Sequence, residues 1–198
     1  PGLTDKLGTQ MLAVGEVMSI GKTYKEALQK AIRSLEIGRY GLGFAKNFHE
    51  LPLEELMRRL SQATSERQFL MYEALRKGAD VQTLHERTYI KPWFIEQMKE
   101  LVELEQRLLE YRGKLPSDEL LVQAKKDGFA DRYLARLLGI QESEIRNRRK
   151  ELGVVHGWQP VPVSGVDDAA YYYSTYNAPD ASPVSEDRKI MVLGGGPN

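Results

Sequence analysis

The feature that most limits the fold is an internal repeat at an offset of 50 residues. The segment KGADVQTLHERTYIKPWFIEQ, residues 77–97, aligns with DGFADRYLARLLGIQESEIRN, residues 127–147. The paired positions are Gly78 with Gly128, Leu84 with Leu134, Ile90 with Ile140, and Ile95 with Ile145. Each copy predicts a short helix, a tight turn and a second helix. We therefore expect a mainly α-helical fold built on two helix-turn-helix-like repeats.

The residues around the repeat also indicate helices. LPLEELMRRLSQAT and SERQFLMYEALRKG precede it, and Ser117 is a suitable N-cap for DELLVQAKKDG. The segment 92–112 starts with a proline in its first turn and predicts a long helix. Its apolar stripe is formed by Phe94, Met98, Leu101 and Leu108, flanked by Ile95, Val102 and Leu109. Other helices must cover so broad a stripe.

The first 40 residues have a different texture. MLAVGEVMSIG indicates a strand and a turn, whereas Thr23 and Glu26 form a capping box that predicts a helix start. We expect that helix to end near Gly38 in the left-handed conformation. The predicted core face of this helix consists of Leu28, Ala31, Ile32 and Leu35. The glycine-rich segment GRYGLGFAKNF then reads as a connector, with a domain boundary near Gly41.

Beyond Gly153 the sequence becomes rich in proline and aromatic residues. Trp158, the run 171–173 and Tyr176 argue against disorder and for an ordered strap across a surface. KIMVLGGGPN predicts a strand followed by a turn at Gly194, Gly195 and Gly196. A phosphate-binding loop would need a helix after these glycines, and the sequence contains none there.

The second repeat copy could instead be a DNA-binding unit in which Arg146, Arg148, Arg149 and Lys150 reach for phosphates or base edges. Residues 127–153, however, contain six basic and five acidic side chains. The second helix of the first copy, 92–112, has three basic against five acidic residues. DNA affinity depends on a strong positive field, so a packing role is favoured and DNA binding is the alternative.

Composition argues against several classes of site. Lys plus Arg and Asp plus Glu are both 28, and cysteine is absent, which fits a reducing, cytoplasmic environment. No run approaches the roughly 18 apolar residues of a membrane span. The three histidines, at 49, 85 and 156, lack metal-ligand spacing. No catalytic, cofactor-binding or metal-binding residue is predicted.

Four segments stand in a fixed order: TQMLAVGEVMSIGKTYKEALQKAIRSLEIG, VQTLHERTYIKPWFIEQMKELVELE, DGFADRYLARLLGIQESEIRNRRKELGV, and YYYSTY followed by DRKIMVLGGGPN. In this order they resemble the central region of the carbamoyl-phosphate synthetase large-subunit family. One departure concerns the strap: VDDAAYYYSTY is shorter than usual in the family and lacks the cysteine found there, so its path and contacts are open.

The resemblance implies a non-catalytic piece of a larger enzyme. On this basis 1–40 ends the first, carboxyphosphate, synthetase half, and 41–153 is the helical oligomerization domain. Residues 154–187 are the strap, and 188–198 form the first strand of the second, carbamoyl phosphate, half. The family makes carbamoyl phosphate from bicarbonate, glutamine-derived ammonia and two ATP, for arginine and pyrimidine biosynthesis.

The same resemblance supplies the expected cofactors and partners. ATP and Mg²⁺ belong to the two synthetase halves of the parent ligase, and no cofactor is expected in this chain. The partners are other copies of the large subunit, the two halves of the same chain and a small glutaminase subunit, with no nucleic acid or membrane. Candidate self-association faces are the 92–112 stripe and an apolar set in the first helical segment. That set is Leu51, Leu53, Leu56, Met57 and Leu60.

Overall fold

The computed structural model describes residues 8–9, 17–161 and 171–192. The helices in this part are α1 (Tyr24–Ser34), α2 (Leu53–Leu60), α3 (Arg67–Arg76), α4 (Val81–Thr88), α5 (Pro92–Leu109), α6 (Asp118–Lys126), α7 (Asp131–Leu138) and α8 (Glu142–Glu151). A 3-10 turn covers Phe48–Glu50, and two short strands follow the helices: β1 (Gly157–Pro160) and β2 (Tyr172–Thr175). The predicted mainly α-helical class is confirmed. None of the helices in these ranges is both long and apolar enough to cross a membrane.

The repeat is visible in the backbone hydrogen bonds, which recur at the same offset of 50. The Ala79 amide donates to the Ala74 carbonyl at 3.0 Å, and the Phe129 amide donates to the Ala124 carbonyl at 2.9 Å. In the same way the Tyr89 amide donates to the His85 carbonyl at 2.7 Å, and the Gly139 amide donates to the Ala135 carbonyl at 2.8 Å. Gly78 and Gly128 both have a φ of 91°, in the left-handed region. Each copy therefore consists of three helices, α3–α5 and α6–α8, with a glycine ending the first.

The core is centred on α5, which contacts α1, α3, α4 and α7. The predicted stripe is buried at Ile95, Met98, Leu101, Val102 and Leu108. Phe94 was predicted in the stripe but is 39% exposed. Phe94 lies on the same side of α5 as these residues, but in the first turn, where it contacts the rings of Tyr24 and Trp93. The buried face also includes Glu105, a carboxylate that periodicity alone excludes from a core. The other candidate self-association face is also largely core, since Leu56 and Leu60 are fully buried.

The glycine-rich segment is part of the core and not the connector that its composition indicated. Leu42, Ala45 and Phe48 are all buried. A Cβ atom at Gly41 would come within 2.6 Å of the Tyr133 ring. The glycines allow the backbone to lie directly on the helices, which a solvated linker does not need.

Helix α1 begins where the capping box predicted, and the Thr23 hydroxyl accepts from the Glu26 amide at 3.2 Å. It ends at Ser34, well before Gly38. Its buried residues are Glu26, Gln29 and Ile32, whereas Leu35 is 41% exposed. The predicted apolar face is therefore wrong in part. The physical reason is that neighbouring segments offer α1 polar partners: the Asp127 carbonyl accepts from Gln29, and the Thr175 hydroxyl donates to Glu26.

The strands pair antiparallel, with Gly157 opposite Thr175 and Pro160 opposite Tyr172. The strand predicted within 188–198 is not formed over the described residues 188–192, where Ile190, Met191 and Val192 are exposed. Residues 193–198, with the triple glycine, lie outside the described residues. Most of the strand expected near the N-terminus, 11–16, also lies outside them, and 17–21 contain no strand. Within the described ranges neither segment has a partner strand to pair with.

Candidate functional site: a three-way junction

Three segments that are distant in sequence contact one another. They are α1 itself, the turn between α6 and α7 (127–130), and residues 171–180 of the strap. We call their meeting point the junction. It brings residues before the helical repeats into contact with residues after them.

Glu26 is the central residue of the junction and is buried. Its carboxylate accepts the Thr175 hydroxyl at 2.8 and 2.9 Å and the Tyr176 amide at 3.2 Å. The Lys22 amide donates to it at 2.8 Å. The capping box predicted that this carboxylate would reach back along the chain, and it does so to the amide of Lys22, one residue before the N-cap Thr23. Donors from two segments together satisfy the buried charge, as burial of a carboxylate requires.

Lys30, one turn along α1, adds a second connection between the same segments. Its ammonium group donates to the Ile20 carbonyl at 2.8 Å and to the Ser174 carbonyl. Burial lowers the pKa of Lys30, while Glu26 opposes the shift. Glu26 and Lys30 therefore each bind both the residues just before α1 and a residue of β2.

The same face of α1 is also bonded to the α6–α7 turn. Gln29 donates to the Asp127 carbonyl at 2.9 Å, and Arg33 donates to the Gly128 carbonyl at 2.6 Å. A Cβ at Gly128 would lie 3.0 Å from the Glu26 Cα atom, so a side chain there would push α1 away. The left-handed φ and this close approach both favour glycine.

A buried ion cluster lies under the strap. Lys125 is bonded to Asp131 at 2.7 Å and to the Phe129 carbonyl at 2.6 Å, and it lies 4.9 Å from the centre of the Tyr176 ring. Arg149 donates to the other Asp131 oxygen at 2.7 Å. Burial lowers the pKa of Lys125 to about 8, and Asp131 opposes that shift. Burial would raise the pKa of Asp131, but Lys125 and Arg149 hold it below its usual value.

A second buried polar cluster holds the glycine-rich segment on the helices. Glu105 accepts from Tyr133 at 2.7 Å, from Tyr72 at 2.9 Å and from Arg76. Arg76 also donates to Glu73 at 2.8 Å. The other Glu73 oxygen accepts the amide of Phe44, in the glycine-rich segment, at 2.6 Å. Burial, followed by Glu105, raises the pKa of Tyr72 and Tyr133.

The arginines proposed for DNA contact are engaged within the protein. Arg146 pairs with Glu142 at 2.6 Å. Arg148 pairs with Asp118 and Glu151 at 2.6 and 3.0 Å, and Arg149 pairs with Asp131. An arginine whose fork is occupied by carboxylates is a poor phosphate ligand. The helix-turn-helix geometry is real, but nothing supports the DNA-binding alternative.

Sequence reasoning named few of these residues. Glu26 was identified only as a helix cap, and Lys125 and Glu105 were not singled out. In the sequence, each of these three charged residues stands at a helix position that faces the core, and this position was the signal that could have identified it. Among the described residues no group of three or more His, Cys, Asp or Glu could hold a metal ion. The absence of catalytic, cofactor and metal residues from the chain stays a prediction.

Comparison with known proteins identifies the family. A family model described as the carbamoyl-phosphate synthetase large chain, oligomerisation domain, matches residues 16–153. The chain belongs to this family. It is 42% identical over 205 residues to the carbamoyl phosphate synthase large chain of Archaeoglobus fulgidus and 44% identical over 203 residues to that of Pseudothermotoga lettingae. The Synechocystis large chain is 38% identical over 202 residues.

These alignments cover 100% of this chain but only 19%, 17% and 19% of the three relatives. The chain thus spans less than a fifth of the length of the large chains it matches. The oligomerisation-domain match extends from before α1 to the end of α8, so α1 lies inside it although the sequence placed a boundary near residue 41. The β2 side of the junction lies beyond that match but within the alignments to the relatives.

Proposed function

We propose that this oligomerisation domain works within a carbamoyl-phosphate synthetase and holds the two synthetase halves of the large chain in register. The parent enzyme is then a ligase that makes carbamoyl phosphate from bicarbonate, glutamine-derived ammonia and two ATP, with ATP and Mg²⁺ bound in the two halves. A small glutaminase subunit supplies the ammonia. The names of the relatives support this proposal. We place the enzyme in the cytoplasm, which the cysteine-free sequence supports.

The proposed division of the chain follows the resemblance. Residues 1–40 close the first synthetase half, 41–153 form the helical domain, 154–187 are the strap, and 188–198 begin the second half. In this division α1 is the segment of the first half that the helical domain binds. Its hydrogen bonds to Asp127 and Gly128 support such docking.

The observation that carries the proposal is the contact of Glu26 with Thr175 and Tyr176. Glu26 lies before the helical repeats and the other two residues lie after them. Buried hydrogen bonds to a carboxylate are short and directional, so they restrict the position of one chain end relative to the other. If the halves are joined to these ends, the junction sets their mutual position while an intermediate passes between them.

The test is the coupling of the two halves in the full-length enzyme. Glu26→Gln removes the charge and gives the strap a weaker acceptor. We expect the number of ATP molecules consumed per carbamoyl phosphate to rise above two, because intermediates are lost between misaligned halves. Exposed Glu119 of α6 gives a matched control, since Glu119→Gln makes the same chemical change away from the junction. Equal stoichiometry in the wild type and both variants would overturn the proposal.

We further propose that copies of the large chain associate through an aromatic patch, which consists of Tyr24, Tyr89, Trp93 and Phe94. Tyr24, Trp93 and Phe94 have ring centroids 5.0–5.5 Å apart. Trp93 is 53% exposed and Tyr89 is 87% exposed. Exposed aromatic residues are enriched at interfaces. The matching family model is described as an oligomerisation domain, which supports a second copy as the occupant.

Sedimentation of the full-length protein tests this surface. Trp93→Glu places a charge at the centre of the patch, and we expect it to shift the mass distribution towards the monomer. Trp158→Glu, on exposed Trp158 of β1, is the control and should leave the distribution unchanged. The patch is not the interface if both variants sediment like the wild type over the same concentration range.

A further inference from the structure

A pocket of about 440 Å³ opens at the junction. Its walls come from α1, the α6–α7 turn, the start of α7 and the strap. This volume lies within the range of small-molecule sites in proteins, about 300–1,000 Å³. The pocket is open to solvent on one side, so a small ligand can reach it without unfolding of the strap.

Four cationic side chains line this pocket: Lys30, Arg33, Lys125 and Arg132. Lys125 is already paired with Asp131. In the described part of the chain, the contacts of the other three are with carbonyl oxygens and aromatic rings. Arg33 donates to the Gly128 carbonyl, and Lys30 donates to two carbonyls and lies 5.7 Å from the centre of the Tyr173 ring. Arg132 lies 4.3 Å from the centre of the Tyr40 ring.

Each of the three acidic side chains of the lining already has hydrogen-bond or ion-pair partners. Glu26 accepts three donors from the strap and the start of α1. Glu142 is paired with Arg146, and Asp131 is shared by Lys125 and Arg149. Neither Arg146 nor Arg149 is part of the lining, so each brings a further positive charge close to it. Glu26 and Asp131 still act on Lys30 and Arg33, but four cationic side chains stand against three carboxylates in the lining, and Arg146 and Arg149 add to this excess, so the field in the pocket is positive.

The geometry of the donors favours a phosphate group. A guanidinium group presents a planar fork of N–H donors that matches phosphate oxygens, and Arg33 and Arg132 contribute one from each side. The pocket also contacts the start of α7, where Ala130 occupies the N-cap position without a side-chain acceptor. At the equivalent position of the first repeat, Asp80 caps α4. Asp131 already places one carboxylate in the first turn of α7, where it is paired with Lys125 and Arg149, and a bound anion would add to its effect on the positive end of that helix.

We propose that the junction pocket binds a phosphate group, either as inorganic phosphate or as part of a small phosphate monoester. Lys30 and Arg33 hold it from α1, and Arg132 holds it from α7. A bound phosphate would connect these two helices through a shared counterion and so stabilise the junction. This inference does not depend on the proposed function of the parent enzyme.

Titration calorimetry of the 198-residue chain tests the site, with inorganic phosphate, phenyl phosphate and acetate compared at constant ionic strength. We expect saturable binding of the two phosphate compounds and none of acetate at the same concentrations. Arg33→Gln should weaken the affinity roughly tenfold, which corresponds to the loss of one charge-assisted hydrogen bond. Tighter binding of phenyl phosphate than of phosphate would identify a monoester as the ligand, and equal binding would identify free phosphate.

Two further variants keep the result unambiguous. Arg132 is exposed, so Arg132→Gln should keep the fold and still weaken phosphate binding, even if Arg33→Gln does not fold. Arg58→Gln, on an exposed arginine of α2 outside the lining, makes the same charge change and should bind like the wild type. The proposal fails if phosphate shows no saturable heat, or if Arg132→Gln and Arg58→Gln bind it equally.

Discussion

Glu26 and Thr175 are 149 residues apart in sequence, yet the Thr175 hydroxyl lies 2.8 and 2.9 Å from the two carboxylate oxygens of Glu26. Both residues are buried. The helical repeats thus lie between two chain segments that are themselves in contact. A domain with its two ends fastened together can transmit the position of whatever precedes it to whatever follows it.

Removal of the Thr175 hydroxyl should loosen this contact. Thr175→Val keeps the shape of the side chain but leaves the buried Glu26 with a missing donor, and we expect the free energy of unfolding to fall by about 1–3 kcal/mol. Urea denaturation measures the change. Thr83→Val is a matched control, because the Thr83 hydroxyl also bonds a carboxylate, that of Asp80, in an exposed position. Equal losses in the two variants would mean that the junction has no special role in stability.

The polar cluster around Glu105 should be sensitive to loss of charge. Glu105→Gln leaves Arg76 with Glu73 as its remaining carboxylate, in a buried position. We expect destabilisation of about 3 kcal/mol, as is typical when one partner of a buried ion pair is removed. Glu55→Gln on α2 is the control, because the exposed pairs of Glu55 with Arg58 and Arg59 should contribute little. A similar midpoint for both variants in thermal unfolding would contradict this assignment.

Gly43 should not tolerate even a methyl group. A Cβ atom there would lie 2.5 Å from an Arg76 guanidinium nitrogen and 2.6 Å from both a Glu105 oxygen and the Tyr133 hydroxyl. We expect Gly43→Ala to destabilise the chain by about 1–3 kcal/mol through overpacking. Circular dichroism during thermal unfolding is a suitable measurement. At Gly8, where a Cβ would meet no atom of the described residues within 4 Å, the same substitution should be neutral.

Lys125 should make stability depend on pH above neutrality. Burial lowers its pKa from 10.5 to about 8, so between these values the unfolded chain binds a proton that the folded chain has lost. The free energy of unfolding then rises with pH, by roughly 1 kcal/mol from pH 8 to pH 9. The titratable and charged groups around Lys125 are Asp131, Arg149, Tyr176 and Arg33.

The comparison with Lys125→Met isolates this contribution. The variant should show a smaller rise, as measured by urea unfolding at each pH, because Lys30, whose pKa burial also lowers, remains. The upper limit of pH 9 stays below the ordinary tyrosine pKa of 10.0, because above it the raised pKa values of buried Tyr72 and Tyr133 reduce stability as the unfolded tyrosines ionise. Parallel curves for the wild type and Lys125→Met would show that another group is responsible.

The chain should not bind duplex DNA appreciably. The arginines of α8 are paired with Glu142, Asp118, Glu151 and Asp131, and DNA would have to break these pairs to gain its own. Fluorescence anisotropy of a labelled duplex at about 50 mM salt should show no saturable change. Saturable binding whose logarithmic affinity falls steeply and linearly with the logarithm of salt concentration would support the DNA-binding hypothesis.

Predictions that rest on neighbouring residues agree best with the structure. The start of α1 depends on the Thr23 hydroxyl and an amide three residues later, and it forms as predicted. The repeated turns depend on a glycine or left-handed residue at a fixed place, and both copies have one. These interactions span only a few residues, so a single stretch of sequence contains both partners.

Predictions about which surface a segment buries were less accurate. The glycines near Gly41 read as a flexible connector, yet they allow close contact with Tyr133, far away in the chain. The stripe of α5 omitted Glu105 because a carboxylate alone is costly to bury. Its donors, Tyr72, Arg76 and Tyr133, come from two other helices.

The sequence by itself determined the helical class, the repeat, the helix starts and the order of motifs that resembles one family. Only the tertiary structure decided where the buried charges find partners, and hence that Glu26 binds the strap as well as the start of its own helix. The physical reason is the range of the interactions. Periodicity and capping act within one or two turns, whereas the solvation lost by a buried carboxylate must be replaced by donors that folding brings from distant segments.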